Sequence, residues 1–132
     1  MANPDLLIDT SIVIEHLRKH DRRRSILFRI VDDYALHTST IVEFELFAGA
    51  TDSQKRHDVE EILRWCIILP FTSKVADAAA TIFQDLRREN RLIEMRDIFI
   101  AATALAYDLP LLTLNVDHFR RIERLHVQAI PR

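Results

Sequence analysis

Leu6-Leu7-Ile8-Asp9-Thr10-Ser11 is the stretch of sequence that decides the fold. Three consecutive apolar residues followed by Asp, Thr and Ser are typical of a short buried strand that ends in a helix-capping cluster. The residues that follow, from Ile12 to His20, have the spacing of apolar side chains that a helix requires. We therefore predict that the chain begins with a buried strand that runs directly into a helix.

The same alternation continues along the rest of the chain. Further strands are predicted at about 35–39, 67–69, 111–114 and 126–130, and further helices at about 21–33, 41–48, 53–65, 75–90, 96–107 and 117–122. Gly49 stands where a left-handed residue would stop the 41–48 helix. Nearly continuous apolar strands joined by helices indicate an α/β protein whose parallel sheet is covered on both faces. In such sheets the functional groups lie beyond the carboxyl ends of the strands, where the strand order reverses.

The composition excludes several classes of site. The chain has 132 residues, 48% of them apolar and 29% charged, with a formal charge of −2, which is ordinary for one globular domain. A single glycine rules out a glycine-rich phosphate loop, and a single cysteine, Cys66, rules out a disulfide framework or a Cys-pair zinc site. We interpret Cys66 as a buried small hydrophobe. Because the sequence shows neither a signal peptide nor a long apolar run, we expect a cytoplasmic protein without membrane contact.

Four acidic residues differ from the others, which lie on polar helix faces or in turns. Asp9 and Asp117 each follow a predicted strand at its carboxyl end, where each by itself is explained as a helix cap. Asp97 lies on the apolar stripe of its own helix, and Glu45 lies on a short helix with few polar neighbours. A helix dipole stabilises a first-turn acid by only about 0.3–1 kcal/mol, which is less than the cost of burying an unpaired carboxylate. A partly buried Arg is one partner that could satisfy either Asp97 or Glu45.

A divalent cation would allow all four acids to converge. Carboxylates at one site repel each other by about 4 kcal/mol per pair at about 4 Å, for an effective dielectric constant of about 20. A doubly charged ion turns this repulsion into attraction, and an all-oxygen ligand set suits Mg²⁺ or Mn²⁺ rather than zinc. Such ions lower the pKa of a bound water and neutralise charge that develops on phosphates. The four acids therefore favour a metal-dependent reaction on phosphates.

Four stretches, each carrying one of these acids, occur in the order found in one protein family: 6–11, 45–50, 97–104 and 112–119. Through them the sequence resembles the PIN-domain ribonucleases, specifically the VapC-type toxins of prokaryotic toxin–antitoxin pairs. The resemblance implies a single PIN-like domain over residues 1–132, a three-layer α/β/α fold with a central, mostly parallel sheet. It also implies endonucleolytic cleavage of RNA with Mg²⁺ or Mn²⁺, in which a metal-activated water attacks the phosphodiester.

The site residues follow from the resemblance by position. It assigns catalysis and metal binding to the four acids, Asp9, Glu45, Asp97 and Asp117. It assigns the orientation of these acids, or of a water, to four neighbouring polar residues, Thr10, Ser11, Thr113 and Asn115. Asn115 stands where the family often has another acid. The implied partners are RNA, a small antitoxin that blocks the site, and a second copy of the chain.

Two further residues are candidates for contact with RNA. Arg96, beside Asp97, could touch the phosphate backbone or pair with an acid, and His118 could give a proton to the leaving oxygen. Glu94, three residues before Asp97, could share its face as an accessory acid or be a loop charge, and we favour the loop charge. The alternative function is a non-catalytic binding module with the same fold, in which the acids are helix caps and partners of Arg side chains.

Overall fold

The computed structural model describes residues 2–131, so Met1 and Arg132, the ends of the predicted 1–132 domain, lie outside the described residues. No helix within the described part of the chain is both long and apolar enough to cross a bilayer. Strands and helices follow one another as β1 (Asp5–Ile8), α1 (Thr10–Arg18), α2 (Ile26–Ile30), β2 (Ala35–Ser39), α3 (Thr40–Gly49), α4 (Ser53–Leu63), β3 (Ile67–Leu69), α5 (Ser73–Arg88), α6 (Met95–Ala106), β4 (Leu111–Leu112) and α7 (Val116–Phe119).

β1 lies inside a parallel sheet whose strand order is β3-β2-β1-β4. Leu6 pairs with Leu36 of β2, and Ile8 pairs with Leu112 of β4. Successive side chains of a strand point to opposite faces, yet Leu6, Leu7 and Ile8 are all fully buried, so both faces of the sheet are covered. The predicted α/β class, with helical layers around a parallel sheet, is therefore confirmed.

The strand order reverses between β1 and β4. The chain moves outwards from β1 through β2 to β3, and then returns to place β4 on the opposite side of β1. In open α/β sheets the connections that leave two such strands diverge and create a crevice, which is where ligands bind. Asp9 directly follows β1 and Thr113 directly follows β4, so the topology places both residues at this crevice.

The helix predicted over 21–33 is wrong as a single element. A turn of 3-10 helix, Arg22–Arg24, precedes a short α2 that begins at Ile26. Between them Ser25 has extended backbone, its hydroxyl accepts from the Phe28 N–H, and the same hydroxyl lies 2.7 Å from Nδ1 of His16. This contact with α1 holds Ser25 outside a helix, and the periodicity of apolar side chains does not reveal it.

The strand predicted at 126–130 does not form, and β4 ends at Leu112 instead of residue 114. Val127 makes only an isolated parallel bridge to Leu111. Leu111 donates its N–H to the His126 carbonyl and accepts from the Gln128 N–H. Because β4 has only two residues, the 126–130 segment forms this one bridge with it and no regular strand pairing.

Gly49 does not stop α3 in the predicted way, because it is the last helical residue and its φ is not positive. The Ala50 N–H instead donates to the Phe47 carbonyl at 3.1 Å. This tight closing turn satisfies a terminal carbonyl without any left-handed residue.

The single cysteine, Cys66, is half-buried and not fully buried as predicted. Loss of water around the Cys66 thiol raises its pKa to about 12. At pH 8 only about one thiol in ten thousand is then ionised, whereas about one in four is ionised when the pKa is near 8.5. We expect iodoacetamide to alkylate the folded chain at least about 100-fold more slowly than the chain unfolded in guanidinium, as followed by mass spectrometry. Similar rates in the two states would show that the thiol is accessible.

Candidate active site

Asp9 is the buried carboxylate around which the site is arranged. It follows β1, caps α1 and is only 4% exposed. One carboxylate oxygen accepts from the backbone N–H and the hydroxyl of Ser11, and the other accepts from the Thr113 hydroxyl. Burial raises the pKa of Asp9, the two hydroxyl groups oppose that rise, and the charge of Asp97 adds to it. None of the donors that bind these oxygens within residues 2–131 is a basic side chain.

Asp97 lies in the first turn of α6 and is 8% exposed. Its Oδ2 atom is 2.9 Å from Nδ1 of His118 and 3.4 Å from the side-chain nitrogen of Asn115. Nδ1 also lies 2.8 Å from that Asn115 nitrogen, but one ring nitrogen cannot both donate to Asp97 and accept from Asn115. An ionised carboxylate favours a protonated Nδ1, so the imidazole N–H is the donor that orients Asp97.

A chain of hydrogen bonds joins Asp9 to Asp97. Thr113 donates its hydroxyl to Asp9, and the same hydroxyl oxygen accepts from the Asn115 backbone N–H at 2.9 Å. The Asn115 side chain in turn contacts Asp97. The loop that follows β4 therefore holds together two carboxylates that come from opposite ends of the sequence.

Glu45 reaches the same region from α3, but its carboxylate already has a hydroxyl and a guanidinium as partners. One carboxylate oxygen accepts from the Thr10 hydroxyl at 2.8 Å, and the other pairs with Nη1 of Arg96 at 3.2 Å. The second terminal nitrogen of Arg96 pairs with Glu94 at 2.9 Å. Thr10 and Arg96 are the chain neighbours of the two buried acids, so Glu45 lies beside the site while bound to a guanidinium.

Asp117 is not connected to the other three acids. It lies exposed in the first turn of α7, and within residues 2–131 no hydrogen bond or ion pair joins it to them. α7 and the loop before it contact the site through His118 and Asn115 instead. The metal-binding role of Asp117 stays a prediction.

Two contacts of the site were not evident from the sequence. His118 is a candidate for contact with RNA on sequence grounds, whereas in the structure it pairs with Asp97. The i, i+3 spacing of Asn115 and His118 at the start of a helix is the signal that could have indicated a shared partner. Glu94 does lie in the loop before α6, yet it pairs with Arg96.

Within residues 2–131 the loop after β4 links one pair of acids, Asp9 and Asp97, and not a cluster of four. No group of three or more His, Cys, Asp and Glu side chains in the described residues is arranged to hold a metal. Asp9 and Asp97 nevertheless face one crevice, with Asn115 as a neutral neighbour. Mg²⁺ keeps most of its waters and needs only one or two carboxylates, so this pair is the part of the site that fits such an ion.

The hydroxyl of Thr113 should contribute more to stability than an ordinary buried hydroxyl, because it donates to the Asp9 carboxylate and also accepts from the Asn115 backbone N–H. Thr113→Val removes both hydrogen bonds with almost no change in shape, and we expect a loss of about 1.5–3 kcal/mol in the free energy of unfolding at pH 7. Thr38→Val is the control for a single hydrogen bond, since the buried Thr38 hydroxyl donates to the Ile8 carbonyl at 2.8 Å. The control should lose about 0.5–1.5 kcal/mol. Urea unfolding measures both values, and an equal loss would show that Thr113 contributes no more than an ordinary buried hydroxyl.

The chain is similar to known proteins along nearly its whole length. It matches the PIN domain family over residues 6–125. Ribonuclease VapC of Rickettsia bellii (strain RML369-C) is 34% identical, and the alignment covers 96% of this chain and 96% of that protein. The solved structure of VapBC-1 from nontypeable Haemophilus influenzae superimposes with a TM-score of 0.83 at 25% identity, covering 96% of this chain and 98% of that one.

A further solved structure shares the fold. VapBC-5 from Mycobacterium tuberculosis, described as a member of the VapBC family of toxin–antitoxin systems, superimposes with a TM-score of 0.70 at 21% identity and covers 98% of this chain and 100% of that one. The family match begins in β1 and extends beyond α7, so it includes the strand ends at which the buried acids lie. Together, this family match and the 34% identity to Ribonuclease VapC of Rickettsia bellii over 96% of both proteins show that the chain belongs to the PIN-domain family and, within that family, to the VapC group.

Proposed function

We propose that the chain is an Mg²⁺- or Mn²⁺-dependent endoribonuclease that acts in the cytoplasm as the toxin of a toxin–antitoxin pair. The observation that carries the proposal is the meeting of Asp9 and Asp97 at the crevice where the strand order reverses. The similarity to Ribonuclease VapC of Rickettsia bellii supports the class of reaction. The shared fold with VapBC-5 supports the toxin–antitoxin setting.

The chemistry of the buried pair supports a divalent ion. Asp9 is desolvated, and the charge of Asp97 raises its pKa further, so a cation between the two would turn an unfavourable interaction into a favourable one. Carboxylate and amide oxygens are ligands that Mg²⁺ and Mn²⁺ accept. Asp9 and Asp97 would hold the ion, with Asn115 as a neutral donor. Glu45 and Asp117 are the remaining members of the proposed catalytic set.

The side chains around the pair would position the reacting groups. A bound ion would supply an activated water and neutralise charge on the phosphodiester. Ser11 and Thr113 hold both oxygens of one carboxylate, so that it keeps a single orientation. His118 orients the other carboxylate and could give a proton to the leaving oxygen. Arg96, whose side chain is exposed, is available to a phosphate of the RNA backbone.

The charge of Asp97 should be essential for cleavage. Asp97→Asn keeps the size of the side chain, and we expect cleavage of a structured RNA by the purified, antitoxin-free chain to fall by at least about 100-fold. Asp77→Asn, which neutralises an exposed acid on α5, should leave the rate unchanged. EDTA should stop the wild-type reaction and added Mn²⁺ should restore it. Cleavage that persists in EDTA, or in the Asp97 variant, would refute the metal mechanism.

A non-catalytic binding module is the second candidate function. Two observations favour it: Asp9 caps α1 through the Ser11 N–H, and Glu45 pairs with Arg96, which are the roles that this alternative gives to the acids. Calorimetric titration with Mn²⁺ separates the two functions. The enzyme should give heat with the wild-type chain that Asp97→Asn loses, whereas a binding module should give neither Mn²⁺ heat nor cleavage that depends on an acid.

We propose that the antitoxin binds the groove between α1, α3 and α4. The groove has a volume of about 470 Å³ and is lined by apolar side chains that include Ile14, Leu17, Leu46 and Val59. Three basic side chains, Arg18, Arg22 and Lys55, also line it, as do acidic Asp58 and Glu45, and Arg22 pairs with Asp58. This chemistry suits a segment that is both apolar and acidic. Because Glu45 lines the same groove, such a segment would lie against the acidic site and block it.

We propose that a second copy of the chain binds a different groove, formed by α5 and α6. This groove has a volume of about 790 Å³, and exposed Phe71 and Met95 line it. A symmetric dimer needs a surface that is complementary to itself. The apolar lining of this groove meets that need, because Phe71, Phe83 and Met95 can pack against the same side chains of a second copy.

A charge placed in this groove should separate the two copies. Ala80 is exposed and lines the groove, so Ala80→Asp should leave the fold intact and convert a dimer into a monomer in sedimentation equilibrium. Thr81→Asp is the matched control, because Thr81 is the next residue of α5, is also exposed and does not line the groove. A dimer that survives Ala80→Asp would exclude this face as the interface.

A further inference from the structure

Arg96 forms ion pairs with two carboxylates other than those of the buried pair, Asp9 and Asp97. Its guanidinium contacts Glu45 at 3.2 Å and Glu94 at 2.9 Å. Glu94 lies in the loop before α6 and its side chain is exposed, whereas Glu45 comes from α3 and its side chain is only 15% exposed. A planar guanidinium with five donors can bridge two carboxylates in a fixed geometry, which a lysine ammonium cannot.

Glu45 therefore already has a cationic partner. One oxygen accepts from Thr10, and the other pairs with the guanidinium that Glu45 shares with Glu94. The buried pair differs, because Asp9 is held by uncharged donors, and the side chains that contact Asp97 are those of His118 and Asn115.

We propose that Arg96 is an internal cation that competes with a divalent ion for Glu45. In the resting protein the ion binds to Asp9 and Asp97, and Glu45 becomes a ligand only when the guanidinium moves away. Arg96 thereby lowers the affinity of the site for the ion, although its own side chain touches neither buried acid through a hydrogen bond. This inference rests on the proposed metal-dependent function.

Mn²⁺ binding to the full-length chain, measured by calorimetry, tests the competition directly. Glu45→Gln alone should change the Mn²⁺ affinity by less than about twofold, because a carboxylate already paired with Arg96 contributes little to the site. Arg96→Gln should tighten Mn²⁺ binding by about tenfold, a change within the usual range for coupling between two sites. The double variant Arg96→Gln/Glu45→Gln should lose this gain and return to the wild-type affinity.

Arg64→Gln is the matched control for the loss of one positive charge. Arg64 also pairs with a carboxylate, that of Glu61 on α4, but away from the site and from both proposed interfaces, so this variant should bind Mn²⁺ as the wild type does. Circular dichroism would establish that each variant is folded.

Three outcomes would overturn the inference, and they differ in what they say about the proposed function. If Glu45→Gln alone weakens Mn²⁺ binding as much as Asp97→Asn does, Glu45 is a ligand at rest, and the role of Arg96 is wrong while the metal-dependent function stands. If the gain in Arg96→Gln survives the second substitution, it comes from net charge and not from Glu45. If neither the wild type nor Arg96→Gln binds Mn²⁺, the metal-dependent function fails together with the inference.

Discussion

The hydrogen bonds of two hydroxyl groups to one buried carboxylate hold this site together. Ser11 and Thr113 donate to opposite oxygens of Asp9, and the Ser11 hydroxyl also accepts from the Leu114 N–H at 2.9 Å. These bonds tie the start of α1 to the loop after β4, which are adjacent in space only because β4 returns to the side of β1 opposite β2. Without such donors a desolvated carboxylate would take up a proton, and the loop that carries Asn115 would lose its anchor.

The carboxylates of the three acids at the crevice have three different kinds of hydrogen-bond or ion-pair partner. Asp9 has uncharged donors, Asp97 has an imidazole and an amide, and Glu45 has a guanidinium. Only the last of these brings a permanent positive charge, since an arginine stays protonated at any pH that a protein tolerates. Asp9 and Asp97 therefore lack a permanently charged partner, and a divalent cation would be stabilised most by binding between these two carboxylates.

Local patterns predicted most of the fold, and they failed where a distant contact decided the outcome. The apolar runs at β1 and β3 and the capping residue Asp9 were sufficient to locate these strands and the start of α1. The helix expected through residue 25 is broken because Ser25 contacts His16. The last apolar segment forms only one bridge, at Val127, because β4 is two residues long.

The order of amino acids by itself determined the alternation of strands and helices and the position of the acids at the ends of these elements, because periodicity and capping are local properties. Only the tertiary structure decided which charge faces which partner. Arg96 is next to Asp97 in sequence but pairs with Glu45, and His118 is next to Asp117 but pairs with Asp97. Successive residues of a helix are rotated by about 100°, so neighbours in sequence point in different directions. The partners of Arg96 and His118 depend on how α3, α6 and α7 pack, and local sequence patterns do not predict this packing.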